Sequence, residues 1–140
     1  MEWTFDCEDR GAAQEVRRAF VDSLVAAGAN EAVLADAQAV FAELLGNVVR
    51  HAGGACEVVL EMEGPRVVLS VLDRGRGFSP TSQLPADALS ESGRGLFIVR
   101  TLAADFNAMR RPGGGTHARA VLHLDEAKPK HCNGTRSAKA

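Results

Sequence analysis

Three short polar segments, in a fixed order along the chain, carry the side chains best suited to chemistry. The first places Glu43, Asn47 and His51 at intervals of four residues. The second runs from Asp73 to Gly77 with glycine at alternate positions, and the third is Gly93-Arg-Gly95. A carboxylate and an amide oxygen suit a metal–phosphate group, a second carboxylate can accept a hydrogen bond from a base, and exposed backbone N–H groups bind phosphate. Together the segments predict a nucleotide site.

The first segment lies within a pattern typical of an amphipathic helix. Glu43 and Asn47 are one helical turn apart, on the shoulder of an apolar stripe centred near Leu44 and Val48. Asn offers Mg²⁺ a neutral oxygen ligand, and Glu can accept a proton from an attacking hydroxyl or water. The alternative is a solvated helix edge, and for His51 it is a favourable contact with the helix C-terminal dipole.

The second segment begins where an apolar run typical of a β-strand ends. Asp73 follows residues 67–72, and loops after strands commonly carry ligand-binding groups. Its carboxylate can accept the exocyclic amine of adenine, while Gly75 and Gly77 would let the backbone approach a flat base. An ordinary Asp-x-Gly turn is the alternative.

The third segment opens a further helical pattern. Gly93 and Gly95 precede an apolar run, so the first N–H groups of that helix are expected to be accessible to phosphate. Arg94 would add a charged donor. A Gly-x-Gly at a helix start can also be only a tight turn, and its interpretation here depends on the two preceding segments.

Hydrophobic periodicity predicts the elements that must hold these segments, in the order β-α-α-β-β-loop-α-β-β. The expected strands are 3–7, 55–63, 66–72, 106–111 and 116–124, and the expected helices are 12–27, 30–52 and 93–104. The fold class indicated is α+β, a two-layer α/β sandwich with one mixed, mostly antiparallel sheet covered by helices on one face. The long irregular stretch 74–92 is typical of a functional loop.

Composition limits the remaining possibilities. The 140 residues suit one domain, residues 1–125, with a Lys-, Gly- and Ser-rich tail at 126–140 that we expect to be disordered. The net charge of −2 argues against non-specific binding to nucleic acid. Neither a signal peptide nor an uninterrupted run of 18 apolar residues is visible, so no membrane span is expected. Three widely spaced cysteines form no disulfide or zinc pattern, which favours a cytoplasmic setting.

The combined segments resemble a known superfamily. Residues 43–52, 73–78 and 93–99, followed by Gly115-Thr116, resemble in order and spacing the N, G1, G2 and terminal Gly-Thr elements of the GHKL ATPases and kinases. The resemblance covers residues 2–124. The compact length and the short loop before Gly93 are most similar to the bacterial anti-sigma factor serine/threonine kinases of the RsbW/SpoIIAB type.

The resemblance implies a Bergerat-type fold that binds Mg-ATP beneath a lid at residues 78–92. Glu43 would be the general base, Asn47 the Mg²⁺ ligand, and Asp73 the acceptor for the adenine amine, backed by Thr116. The nucleotide-binding residues that it implies are Asn47, His51, Asp73, Gly75, Gly77, Gly93, Arg94, Gly95, Leu96 and Thr116. The lid departs from the family pattern because it is short and contains Pro80 and Pro85.

The resemblance also implies partners. Such kinases phosphorylate a serine or threonine of an anti-anti-sigma (STAS-domain) protein, hold a sigma factor when that protein is unavailable, and usually form homodimers. Two other functions stay open: a nucleotide-binding regulatory module that captures a partner without transferring phosphate, and the excised catalytic domain of a histidine kinase. The latter needs a helical segment with a phosphoacceptor histidine, whereas the first histidine here is His51.

Overall fold

The computed structural model of the protein describes residues 1–51, 53–74 and 93–124. Its strands are β1 (Glu2–Asp6), β2 (Ala55–Glu63), β3 (Arg66–Asp73), β4 (Asp105–Arg110) and β5 (Thr116–His123). Its helices are α1 (Arg10–Ala26), α2 (Glu31–His51) and α3 (Gly93–Leu102). This is the predicted order of elements. The expected lid and the expected disordered tail lie outside the described residues.

The five strands form one sheet in the order β1-β2-β3-β5-β4. Every neighbouring pair is antiparallel, so the described sheet is wholly antiparallel rather than mixed as the sequence suggested. Short turns join β2 to β3 and β4 to β5, and a connection this short can only reverse the chain, because parallel neighbours need a long crossover.

The helices pack on one face of the sheet and complete the predicted α+β sandwich. α2 crosses the centre against β3 and β5, α1 lies beside it towards β1, and α3 packs on α2 and β4. The rings of Phe20 and Phe41 stack between α1 and α2 with centroids 4.9 Å apart. The largest fully buried side chains are Phe20, Phe41, Leu24, Leu44, Leu60, Leu69, Val40, Val58, Val67, Val71, Val99 and Cys56. Burial of this apolar face fixes how the helices lie on the sheet.

Local capping residues fix where the first two helices begin. Asn30 caps α2 as predicted, since its Oδ1 accepts a hydrogen bond from the Val33 amide at 2.8 Å. α1 begins at Arg10, two residues before the predicted start. Its N-cap is Asp9, whose Oδ1 accepts from the Ala12 amide at 3.1 Å. An aspartate just before a helical pattern is the signal that could have placed this boundary.

Helix α2 is long and apolar enough, by length and composition alone, to cross a membrane. The qualifying segment is Glu31–Arg50, with a mean hydropathy of 1.4. Polar residues interrupt this segment, so it contains no uninterrupted run of 18 apolar residues. Its buried side chains, among them Val40, Leu44 and Val48, pack in the centre of the domain core. We therefore interpret α2 as a core helix, a class that passes the same test.

Candidate functional site

Chain connections bring α2, β2 and β3 to the same end of the molecule. Only residues 52–54 separate α2 from β2, so the last turn of α2 lies near the start of β2. Cys56, the second residue of β2, pairs with Asp73 at the end of β3. The predicted residues at the C-terminal end of α2 and the predicted adenine acceptor therefore belong to one region.

Asp73 is a buried carboxylate held by its neighbours. It is 5% exposed. Its Oδ1 accepts a hydrogen bond from the Thr116 amide at 3.2 Å, and its backbone carbonyl accepts one from Arg111 Nη1 at 2.8 Å. Asp73 and Thr116, which are 43 residues apart, were both predicted as site residues, and the structure brings them together. A buried, oriented acceptor of this kind suits recognition of an amine.

The turn before β5 approaches β3 so closely that only glycine fits at one position. Gly115 is buried with φ +96°, in the left-handed region that disfavours side chains. A Cβ at this position would overlap the carbonyl oxygen of Asp73. The Gly-Thr pair of the sequence motif thus lets the β4–β5 turn close against the end of β3.

Glu43 and Asn47 are both half-buried on the shoulder of α2 that the sequence predicted. In the structure, Arg50 Nη2 donates a hydrogen bond to Asn47 Oδ1 at 2.9 Å. The sequence analysis gave Arg50 no role at the site. Its spacing of three residues from Asn47 is the available signal for this contact, because such residues neighbour each other on a helix. The amide oxygen expected to bind Mg²⁺ is therefore paired with a guanidinium.

The opposite shoulder of α2 borders a different feature. A groove of about 400 Å³ lies between α1 and α2, lined in part by Arg10, Arg17, Leu45 and Val49. None of the predicted site residues lines it. The predicted chemistry therefore belongs to the side of α2 that faces away from α1.

Helix α3 begins at the predicted glycine segment. Two residues separate α3 from β4, against which it packs, so the two elements run in opposite directions. β4 ends at the turn beside Asp73, and hence α3 starts towards that same end. Its first turn contains Gly93, Arg94, Gly95 and Leu96 and no acidic residue. The positive end of this helix is thus suited to an anion.

Several predicted contacts lie outside the described residues. They are Gly75, Gly77, the lid at 78–92, and the side chains of His51, Arg94 and Leu96. Their roles stay predictions. His51 is the last residue of α2, and Arg94 and Leu96 lie in the first turn of α3, as the sequence suggested.

The surroundings of Asp73 disfavour additional negative charge. Burial raises the pKa of the Cys56 thiol to about 12, with further contributions from Cys7, Asp73 and Glu57. Burial likewise raises the pKa of Cys7, and nearby acidic residues, including Asp73, raise it further. A low-dielectric region with a carboxylate favours a neutral donor such as an amine over a carbonyl, because a carbonyl would oppose the carboxylate oxygens.

The donor set fits a magnesium nucleotide. Asp73 supplies the buried acceptor, and Gly115 provides the close backbone approach beside it. Among residues 1–51, 53–74 and 93–124, no cluster of three or more His, Cys, Asp or Glu is arranged to hold a metal. A Mg²⁺ ion here would take one ligand from Asn47 and most of the others from phosphate oxygens and water, as this ion commonly does.

Comparison with known proteins agrees with this geometry. A family model described as a histidine kinase-like ATPase domain matches residues 8–122. The matched range contains Glu43, Asn47, Asp73 and Thr116, and it spans all the described elements except β1 and the last residue of β5. A search of curated proteins finds no match to the chain.

Proposed function

The chain belongs to the histidine kinase-like ATPase family, an ATP-binding module of the GHKL type, and from that premise we propose that it is a serine/threonine-protein kinase. Its substrate would be an anti-anti-sigma (STAS-domain) protein, and it would bind a sigma factor when that protein is unavailable. ATP and Mg²⁺ would be required, and the protein would act in the cytoplasm, as a homodimer, to regulate transcription.

The observation that carries the proposal is the position of Asp73. Asp73 is 5% exposed and held by the Thr116 amide, in the region reached by the C-terminal end of α2. It would supply the point that binds the base, and Glu43 on α2 would supply the proton acceptor. Adenine binding at Asp73 would direct the phosphates towards the start of α3, where backbone N–H groups and the helix dipole favour negative charge.

In the proposed reaction, the hydroxyl oxygen of the partner's serine or threonine attacks the γ-phosphorus of ATP. The bond from that phosphorus to the β–γ bridging oxygen breaks, ADP leaves, and the hydroxyl proton passes to the Glu43 carboxylate. Magnesium held with the help of Asn47 would neutralise charge on the phosphates.

A second candidate function is favoured by one contact. Because Arg50 donates to the Oδ1 of Asn47, the expected Mg²⁺ ligand is paired within the protein. A protein that kept this pair would bind nucleotide and capture a regulator without efficient transfer of phosphate.

Transfer of labelled phosphate separates the two functions. The protein is mixed with γ-labelled ATP, Mg²⁺ and each purified STAS-domain protein encoded in the same genome. Label on a partner serine or threonine supports the kinase, whereas partner binding without label supports the regulatory module.

Substitution of Glu43 tests the assigned base. Glu43→Ala is expected to bind ATP with wild-type affinity and to transfer phosphate about 10²–10⁴-fold more slowly, because it removes the proton acceptor but no phosphate contact. Glu31→Ala, which removes a carboxylate from the opposite end of α2, should leave transfer unchanged. Wild-type transfer by Glu43→Ala would show that another group is the base.

A further inference from the structure

Arg111 reaches from the β4–β5 turn to the end of β3. Its Nη1 donates a hydrogen bond of 2.8 Å to the backbone carbonyl of Asp73, across a separation of 38 residues. The main chain of Arg111 is itself fixed, because its amide donates to the Gly115 carbonyl at 2.9 Å and its carbonyl accepts from the Gly114 amide at 3.0 Å. The guanidinium therefore projects from a constrained turn onto one residue of β3.

The same turn holds Asp73 at two atoms. Thr116 donates to the carboxylate Oδ1, while Arg111 donates to the main-chain carbonyl. The first contact fixes the side chain and the second fixes the backbone from which that side chain projects. A hydrogen bond from a guanidinium is stronger than one between neutral groups, so the second contact resists displacement of the strand end.

We propose that Arg111 is a positioning residue of the nucleotide site, which holds Asp73 where its carboxylate accepts the amine of adenine and rejects the carbonyl of guanine. The inference rests on the proposed placement of the base at Asp73. Discrimination between an amine and a carbonyl depends on placing the acceptor within about 0.5 Å of its productive position. A carboxylate free to shift with the end of β3 could turn away from guanine and would discriminate less.

Arg119 provides a matched control. It lies on β5 opposite Ser70, three residues before Asp73 on β3. Arg111 and Arg119 both place a positive charge near His117, so removal of either one changes the local charge in a similar way. Of these two arginines, Arg111 is the one whose side chain donates a hydrogen bond to Asp73 in the described part of the chain.

Calorimetric titration with MgATP and MgGTP measures the proposed effect. Arg111→Ala should weaken ATP binding about tenfold and change GTP binding by less than about twofold, so that the preference for ATP narrows. Arg111→Lys, which keeps a charged donor, should recover part of the preference. Arg119→Ala should leave both affinities within about twofold of wild type. Equal weakening for both nucleotides in Arg111→Ala, or no weakening, would overturn the inference.

Amide hydrogen exchange in the nucleotide-free protein tests the positioning separately. In Arg111→Ala the Thr116 amide should exchange at least about tenfold faster, while the amide of Ala120, buried in the middle of β5, keeps its wild-type rate. If wild type shows no preference for ATP and Asp73→Asn binds ATP normally, the placement of the base is wrong. If those two results are as proposed but Arg111→Ala matches wild type in affinity and exchange, the role of Arg111 is wrong.

Discussion

Cys56 and Asp73 are direct cross-strand partners in the β2–β3 ladder, so a buried thiol adjoins the carboxylate proposed to bind adenine. Cys56 is 2% exposed and Asp73 is 5% exposed. In an antiparallel pair, residues directly opposite each other project to the same face. The thiol thus forms part of the dry surroundings that the carboxylate needs for a strong hydrogen bond to an amine.

This environment predicts that Cys56 reacts slowly with alkylating reagents. Its pKa rises from 9.0 to about 12, a difference of about 3, which lowers the thiolate fraction at pH 8 by roughly a thousandfold. Iodoacetamide labelling followed by peptide mass spectrometry should show Cys56 modified about 1,000-fold more slowly in the native protein than in urea. Similar rates in both conditions would contradict the buried position.

Removal of the charge at Asp73 should weaken ATP binding selectively. Asp73→Asn keeps the shape of the side chain and an oxygen that can accept from Thr116, but it introduces an NH₂ group that opposes the adenine amine. The expected cost is about 1–3 kcal/mol in binding free energy, measured by calorimetry. Asp36→Asn, which alters a buried carboxylate two turns before Glu43 on α2, is the control for general effects on folding.

Gly115 should tolerate alanine much less than Gly113 does. Both have positive φ, +96° and +91°, so alanine pays about 1–2 kcal/mol of backbone strain at either position. Only at Gly115 would the new Cβ also overlap the Asp73 carbonyl, which adds about 1–3 kcal/mol, whereas the space around Gly113 is open. Urea unfolding should therefore show a larger decrease in the free energy of unfolding for Gly115→Ala than for Gly113→Ala. Equal decreases would mean that the turn does not close on β3.

Stability should fall in mild acid because of His117. Burial is the largest cause that lowers the pKa of His117 below 6.5, and the positive charges of Arg111 and Arg119 lower it further. Its Nε2 lies 3.0 Å from the Ser70 hydroxyl. Since the folded-state pKa lies below the unfolded value, the full contribution is present above pH 6.5 and is lost as pH falls towards the folded pKa. His117→Gln should reduce the drop in urea midpoint between pH 8 and pH 5.

The matched variant for this pH dependence is His123→Gln. His123 lies at the exposed end of the same strand, and its replacement leaves the His117–Ser70 pair in place. The drop in midpoint should therefore match wild type. If the urea midpoint of His117→Gln also falls between pH 8 and pH 5 by as much as that of wild type, groups other than His117 cause the acid sensitivity.

The sequence predicted all eight described elements because their signals are local. Apolar residues repeat with the helical period in α2 and with the strand period in β2, and Asn30 marks the start of α2. The place of Asp73 at the end of a strand pattern identified it as a site residue, whereas Thr116 was predicted only from the resemblance to the GHKL superfamily. The sequence analysis missed Asp9 as a helix cap. It also described the sheet as mixed, mostly antiparallel, because whether two strands are parallel or antiparallel depends on which strands become neighbours.

The amino-acid sequence by itself determined the order of elements and the core-facing positions, since each depends on neighbours within a few residues. Only the tertiary structure decided that Arg111 holds the Asp73 carbonyl, that Arg50 pairs with Asn47, and that Cys56 adjoins Asp73. Two of these contacts join segments far apart in the chain, and the third depends on the rotamers of two side chains. Packing of the whole core selects the register and the rotamers. The spacing of three residues makes a contact between Arg50 and Asn47 possible on a helix but does not by itself fix it.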